Sequence, residues 1–307
     1  MTSNSDVKNA GENAEKFPAL PLAEWEATKD TLHLWTQIVG KIRMAKTPLV
    51  NHFWNVPLYV SPRGLTSSAI PYENGVFEIE FDFIRHLLTI NTSDDRSETI
   101  VLEPKTVARF YEEIFQKLNS LGISAEIRAT PDEIPDAIPF AEDTTHKSYD
   151  AEYANRFWRV LVEVDKIFNE FRSGFIGKVS PVHFFWGSFD LAVTRFSGAR
   201  APERADADSI TREAYSHAVI SHGFWAGGNG MDAAFYAYAA PEPDGLKTAL
   251  VKPNKAFYSR EMSEFFLMYE DVRQSENPSK TLMGFLTSTY EASANLAKWN
   301  REELERS

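Results

Sequence analysis

The 307-residue chain is acidic and contains no cysteine. Its 32 lysines and arginines are outnumbered by 44 aspartates and glutamates, which gives a formal net charge of -12 at pH 7. This charge, without any long Lys/Arg-rich run, argues against a nucleic-acid partner. The lack of cysteine excludes disulfides, thiolate metal ligands and thiol nucleophiles.

A hydrophobic fraction of 43% is typical of a globular protein, and an aromatic fraction of 13% supplies a large core or a ring-lined cavity. No apolar run approaches the length of a membrane span, and the polar N-terminus lacks the apolar segment of a signal peptide. The sequence therefore predicts a cytoplasmic protein that has no membrane partner. It leaves the oligomeric state open.

In chain order, residues 1–16 are polar and predict a disordered tail. Residues 22–44 place apolar side chains at helical spacing. Residues 52–60 alternate as a strand, in which a proline indicates an edge position or a bulge. Apolar and acidic residues alternate over 77–83, which predicts a half-buried strand. The remaining elements of this half are predicted as strands at 87–91 and 98–102, a helix over 106–121 and a strand over 123–127.

A proline- and acid-rich stretch at 130–149 predicts a linker. The helix that follows, over 151–172, has a strong apolar stripe. An insertion at 197–230 contains a possible helix over 209–220 and a Gly-rich segment. The remaining elements of this half are predicted as strands at 182–186, 189–196 and 232–240 and helices at 257–273 and 280–305.

Two segments of the chain echo each other. Residues 51–54 read Asn-His-Phe-Trp, and residues 183–186 read His-Phe-Phe-Trp. Farther along, Pro104 and Pro253 each precede a helix-like run. This order predicts an α+β protein with an internal duplication, in which each half is an antiparallel sheet backed by long helices. The two halves, in one compact body, are residues 17–129 and residues 150–307, the second with an additional C-terminal helix.

Histidines beside aromatic residues are the leading candidates for chemistry. If the two halves face each other, His52 and His183 approach one axis and line a shared cavity. Core histidines bound by backbone groups are the alternative. Glu213 and His217 are four residues apart and would form an acid–imidazole pair on a helix. We therefore predict catalytic acid/base roles for His52, His183 and His217.

Other polar side chains could hold a ligand. His33, Gln37 and Lys41 form a stripe on the first helix that could bind an anionic or carbonyl group, or could be a solvated helix edge. Arg195 lies on a mostly apolar strand face, where it needs a carboxylate or a bound anion. The predicted ligand-binding residues are His33, Lys41, Asn51, Trp54, Arg63, Trp186, Asp190 and Arg195.

These patterns predict a protein that binds a small anionic or carbonyl-bearing molecule in an aromatic-lined cavity. Histidine acid/base chemistry is expected if the protein is an enzyme, a question that the sequence leaves open. No Walker loop, dinucleotide fingerprint or His-Glu-x-x-His motif is present, so no cofactor is predicted. Two alternatives remain: a non-catalytic protein–protein interaction or structural protein, and a metal-dependent enzyme with His and carboxylate ligands.

Several short runs also form a specific set. They are residues 31–34 and 40–43, 51–54 and 57–60, 63–64, 184–190, 195–198, 214–217 and 235–238. Together they resemble the domain-of-unknown-function family DUF5996 of bacteria and fungi, over about residues 17–305. The resemblance implies a soluble stand-alone protein and carries over no catalytic residue. Ala218 follows His217 where the family often has an acid, which weakens an acid/base role for His217.

Overall fold

The computed structural model describes residues 16–306, so the predicted tail lies outside the described residues except for Lys16. Among the described residues, no helix is long and apolar enough to cross a membrane. The α-helices from Leu22 onward are α1 (Leu22–Lys46), α2 (Val107–Ser120), α3 (Ala151–Ser173), α4 (Ser209–Ala214), α5 (Tyr269–Arg273), α6 (Pro278–Leu296) and α7 (Arg301–Leu304).

The strands form two antiparallel sheets, which confirms the predicted mixed α and β architecture. The first sheet has the order β1-β2-β4-β5-β6, with β3 also paired to β4, and the second has the order β11-β12-β10-β9-β8-β7. The strands are β1 (Tyr59–Val60), β2 (Gly64–Thr66), β3 (Ile70–Tyr72), β4 (Gly75–Asp82), β5 (Leu87–Thr92), β6 (Ser97–Val101), β7 (His183–Phe185), β8 (Asp190–Arg200), β9 (His217–Trp225), β10 (Ala234–Ala240), β11 (Phe257–Ser259) and β12 (Glu264–Met268).

Three of the longer helices begin at a side-chain cap. Thr106, Asp150 and Asn277 each accept a hydrogen bond from the backbone N–H three residues on, at 3.0–3.1 Å. These bonds satisfy amides that have no partner inside the helix. In α6 a proline also follows the cap, where its missing N–H costs nothing. Local sequence therefore determines where α2, α3 and α6 begin.

The first sheet buries one face against α1 and α2. Phe77, Ile79 and Phe81 of β4 are each at most 1% exposed, as their alternation with acidic residues predicts. Phe110 of α2 stacks on Trp35 of α1 with ring centroids 4.7 Å apart and lies 6.4 Å from Phe81. Aromatic packing thus joins sheet and helices into one core layer.

The second sheet has two chemically different faces. One face carries apolar residues such as Leu191 and Val193 and packs against α3 and α6. The strand registers place a row of polar side chains on the opposite face. We call this the polar face; its members are His183, Asp190, Thr194, Ser221, Tyr236, Tyr238 and Glu264.

The two sheets meet at their edges. Leu58, just before β1, and Phe184 of β7 exchange two backbone hydrogen bonds, each 2.9 Å long. Both residues are completely buried. The two echoing sequence segments therefore lie side by side, which brings the histidine of each segment to the same region of the molecule.

The predicted strand at 52–60 is wrong over most of its length. Residues Asn51–Phe53 form a 3-10 turn, and His52 and Phe53 have φ values of 58° and 57°. A left-handed backbone cannot continue a strand. Pairing begins only at Leu58, after Pro57, so strand alternation does not determine where the side chains of His52 and Trp54 point.

Several other boundaries also differ from prediction. Residues 123–127 are not a strand, and the predicted helix over 209–220 ends at Ala214. Residues 257–273 form β11, β12 and α5 instead of one helix, and the helix predicted over 280–305 is interrupted after Leu296. In 257–268, adjacent aromatic residues fit both helical and strand spacing, and pairing with β10 favours the strand.

Candidate functional site

The first cluster of interest surrounds His52. The Nδ1 of His52 lies 3.0 Å from the carbonyl oxygen of Glu213, and its Nε2 lies 2.7 Å from Nζ of Lys178. Because a carbonyl oxygen can only accept, Nδ1 carries the proton and Nε2 accepts from the Lys178 ammonium. The backbone N–H of His52 donates to Oε1 of Glu213 at 3.0 Å. These contacts fix both the orientation and the tautomer of the imidazole.

Aromatic rings flank this contact. The Nζ of Lys178 lies 5.2 Å from the centroid of the Trp54 ring and 4.8 Å from that of Phe196. The His52 ring is 4.8 Å from Phe196 and 5.9 Å from His217. Cation–π attraction holds the ammonium against the rings. We call His52, Trp54, Lys178, Phe196 and His217 the histidine–lysine cluster.

Proton affinity in this cluster is reduced. Burial lowers the pKa of His52, and the charge of Lys178 lowers it further. Desolvation also lowers the pKa of Lys178, although the charge of Glu213 opposes this effect. It is therefore unfavourable for His52 and Lys178 to be positively charged at the same time. Such a pair is suited to proton transfer.

His183 borders the cluster and is 1% exposed. Its ring centroid lies 5.7 Å from those of both Trp54 and Tyr59. Among residues 16–306 neither of its ring nitrogens has a hydrogen-bond partner. Burial lowers the pKa of His183 to about 3, and the charges of Arg172 and Arg43 act in the same direction. The neutral ring thus keeps one donor and one acceptor unused.

Three basic groups near these histidines lack a carboxylate partner. Within the described part of the chain, no carboxylate oxygen lies within 4.0 Å of a side-chain nitrogen of Arg43, Arg172 or Lys178. Arg43 donates to the carbonyl oxygen of Ser67, and Arg172 donates to that of Ser180 at 2.5 Å. Carbonyl oxygens carry no net charge. Three basic groups are thus opposed by Glu213 and Asp165 without an ion pair to either, so in a protein with a net charge of -12 this region keeps a positive excess.

A second region lies elsewhere on the polar face. Asp190 is 5% exposed, and its Oδ2 accepts a 2.5 Å hydrogen bond from the hydroxyl of Tyr236. Burial raises the pKa of Asp190 to about 7, against the lowering effect of the Tyr236 bond. A Cβ at Gly223 would lie 2.1 Å from Cζ of Tyr236. Only glycine lets this tyrosine ring cross β9 and reach Asp190.

Next to Tyr236, a cavity of about 410 Å³ opens on the polar face. The hydroxyls of Tyr215 and Tyr238 meet at 3.1 Å on its wall. Burial and the charge of Asp190 raise the pKa of Glu264, which also lines the cavity, to about 7. We call Tyr215, Tyr238 and Glu264 with this cavity the tyrosine–carboxyl pocket.

Of the predicted site residues, the structure brings together His52, Trp54, His183 and His217, but others are bound elsewhere. Lys41 pairs with Asp132 at 2.5 Å, and Arg63 pairs with Asp82 at 2.5 Å. His33 contacts the carbonyl oxygen of Gly187 at 2.8 Å, and burial lowers its pKa to about 4. The polar stripe of α1 is therefore neither a solvated edge nor part of the histidine–lysine cluster.

The other predicted ligand-binding residues are also dispersed. Asn51 is exposed at the start of the 3-10 turn. Trp186 donates from Nε1 to the carbonyl oxygen of Val56 at 2.9 Å. Arg195 lies on the helix-covered face, with its guanidinium carbon 3.6 Å from the ring centroid of Phe171. Arg195 is thus held by a ring and by the backbone of α3, where the sequence predicted a carboxylate or an anion.

The predicted helical pair of Glu213 and His217 is not formed. Helix α4 ends at Ala214 and His217 begins β9, so four-residue spacing no longer places the two on one helix face. Glu213 instead binds His52 through its carboxylate and its carbonyl oxygen. The Nδ1 of His217 lies 3.0 Å from Oγ of Ser216.

Sequence reasoning missed part of both regions. Lys178 is 126 positions from His52, and no motif connects them. Tyr236 and Tyr238 could have been found, because two residues of separation places them on one strand face beside Glu264. For the metal alternative, residues 16–306 contain no group of three His, Asp or Glu side chains placed to hold an ion.

A model described as a family of unknown function, DUF5996, matches residues 17–306 of the chain. No curated protein and no solved structure matches it.

Proposed function

The chain belongs to the DUF5996 family, and from its own residues we propose that it binds a small anionic or carbonyl-bearing molecule at the histidine–lysine cluster. One observation carries the proposal. In an acidic protein, three basic groups without a carboxylate partner lie near two histidines and Trp54. The Glu213 carboxylate binds the backbone N–H of His52 and forms no ion pair with these three groups, so a bound anion would supply the remaining countercharge.

Unused hydrogen-bonding groups support the same proposal. Both ring nitrogens of His183 and Nε of Arg43 are buried without a partner among the described residues. A buried polar group that makes no hydrogen bond is costly, and a ligand oxygen would remove that cost. Trp54 is half-buried and contacts the rings of both His52 and His183. Its indole provides the aromatic wall of the site.

The cluster also suits acid/base chemistry on a carbonyl compound. With Nδ1 protonated, Nε2 of His52 is the basic nitrogen, and it already faces Lys178. To lose a proton to this nitrogen, the substrate would first take the place of the Lys178 ammonium at Nε2. The displaced ammonium would then stabilise the negative charge left on the substrate oxygen. In this scheme His52 acts as base and Lys178 as the fixed cation.

Replacing Lys178 with methionine should weaken anion binding by about tenfold, because one charge-assisted contact is lost. Inorganic phosphate and pyruvate are the probes, and their affinities are measured by thermal shift and calorimetry. The control is Lys166→Met, which removes another exposed cation, from the surface of α3.

We expect the control to bind both probes like the unchanged protein. His183→Phe serves as a second variant, because an apolar ring of similar size removes two unpaired nitrogens without opening a cavity. It should fold at least as stably and still lose anion binding. Equal binding by Lys178→Met and Lys166→Met would contradict the proposal.

We also propose that the two halves are copies of one ancestral unit. Both sheets are antiparallel, and the echoing segments pair through Leu58 and Phe184. The likeness is incomplete, because Pro104 precedes α2 whereas Pro253 precedes β11. Superposing residues 22–128 on residues 150–273 tests this proposal. Equivalent strand orders would support it, and unrelated orders would contradict it.

A further inference from the structure

The tyrosine–carboxyl pocket has a composition different from that of the histidine–lysine cluster. Its volume of about 410 Å³ lies within the range of small-molecule sites. Glu264 forms no hydrogen bond through its side chain and no ion pair with any residue in 16–306, although it is only partly exposed. A carboxylate in such surroundings favours a cationic partner.

The tyrosine rings add a second preference for cations. The guanidinium carbon of Arg204 lies 4.2 Å from the ring centroid of Tyr215, so a cation already occupies one aromatic surface of the pocket. Tyr238 offers another ring, stacked on Tyr236 at 6.2 Å. Aromatic rings attract organic cations through their negative faces. Tyr238 and Glu264 together therefore present a ring and a carboxylate to one ligand group.

The remaining charges of the pocket do not favour an anion. Lys247 is exposed, and its Nζ lies 3.5 Å from Oε1 of Glu242. The Oε2 of Glu242 also accepts a hydrogen bond from the hydroxyl of Tyr258. Arg204 is exposed and stacked on Tyr215. Behind Tyr236 lies the buried carboxyl of Asp190, whose Oδ1 has no hydrogen-bond partner among the described residues. Basic groups therefore occupy the rim, and carboxyls lie deeper.

We infer that the tyrosine–carboxyl pocket binds a small primary amine in its protonated form. The ammonium group donates hydrogen bonds to Glu264 and lies against the ring of Tyr238. The organic part of the amine fills the rest of the cavity. A metal ion is disfavoured here because the described residues offer no group of three ligands. The pocket shares no lining residue with the histidine–lysine cluster, although Tyr215 and Tyr238 pack in one apolar cluster with Trp54 and Phe196. The inference does not rest on the proposed anion site.

The test compares an amine with its neutral counterpart. Benzylamine and benzyl alcohol have nearly the same shape, and calorimetry measures the affinity of each for the full-length protein. We expect benzylamine to bind at least about tenfold more tightly, the effect of one hydrogen bond to a charged group. Glu264→Gln should abolish this preference, because the amide keeps the size of the side chain and loses its charge.

Glu261→Gln is the matched control, since it removes an exposed carboxylate three residues away. It should retain the preference for the amine. Tyr238→Leu removes the ring without touching the carboxylate, and it should also weaken benzylamine binding. Equal affinities for amine and alcohol, a Glu264→Gln variant that keeps the preference, or no amine binding by the unchanged protein would each overturn the inference. Circular dichroism of each variant excludes misfolding as the cause.

Discussion

Replacing Gly64 with alanine is expected to destabilise the protein by about 3 kcal/mol, at the upper end of what an added methyl group does in a packed core. Gly64 is in β2, and a Cβ there would lie 1.7 Å from the carbonyl oxygen of Phe81 and 2.8 Å from its carbonyl carbon. These are backbone atoms of the neighbouring strand β4. They cannot rotate away, so β2 and β4 would have to separate.

Urea unfolding followed by tryptophan fluorescence measures this effect. Gly284→Ala is the control, because it is the same substitution in helix α6 at a position with no atom within 4 Å. Alanine favours a helix over glycine by about 0.5–1 kcal/mol, so the control should be more stable than the unchanged protein. If both variants unfold at the unchanged midpoint, β2 does not pack on β4 as described.

Asp190→Asn is expected to change how stability depends on pH. Burial raises the pKa of Asp190 to about 7 in the folded protein, from an ordinary value of 3.8. Between pH 3.8 and about pH 7, the Asp190 carboxyl has lost its proton in the unfolded chain but keeps it in the folded protein. The stability contributed by the protonated carboxyl is therefore complete below about pH 4 and is lost as the pH rises to about 7.

Asparagine has nearly the same shape, can still accept from Tyr236 and does not titrate. Relative to the unchanged protein, the variant should gain about 1 kcal/mol of stability for each pH unit between pH 4 and 7. Urea unfolding at pH 5, 6, 7 and 8 measures the difference. Asp244→Asn, an exposed substitution, is the control and should show no such trend. A constant difference between Asp190→Asn and the unchanged protein would show that Asp190 is ionised throughout.

The sequence correctly predicted those helices and strands whose residue pattern fits only one type of secondary structure. The alternation in β4 and the apolar stripe of α3 were sufficient, because burial of one face imposes the period. Helix α1 was also predicted, although nearly all its residues over 31–43 are buried. The turn at His52 was not predictable, since His52 is held there by contacts with Glu213, far along the chain. The helix predicted at residues 257–268 was wrong because their aromatic residues fit both the helical and the strand period.

The candidate sites were harder to predict from the sequence than the fold. His52 and His183 were found because each lies in a repeated segment. Lys178, which contacts His52, lies in a segment without any motif. Lys41 was predicted to bind a ligand, but Asp132 of the predicted linker covers it. Which charges remain unpaired depends on tertiary contacts, and a single sequence does not reveal these.

The backbone pairing of Leu58 with Phe184 would couple binding of the proposed ligand to cohesion of the molecule. His183 is adjacent to one of these residues, and Trp54, four residues before the other, contacts its ring. A molecule held by both segments would bind only while the edges of the two sheets stay paired. By mass action, its binding free energy would then oppose their separation. Occupancy at this junction would therefore reinforce the core that the two sheets already share and make their unfolding more cooperative.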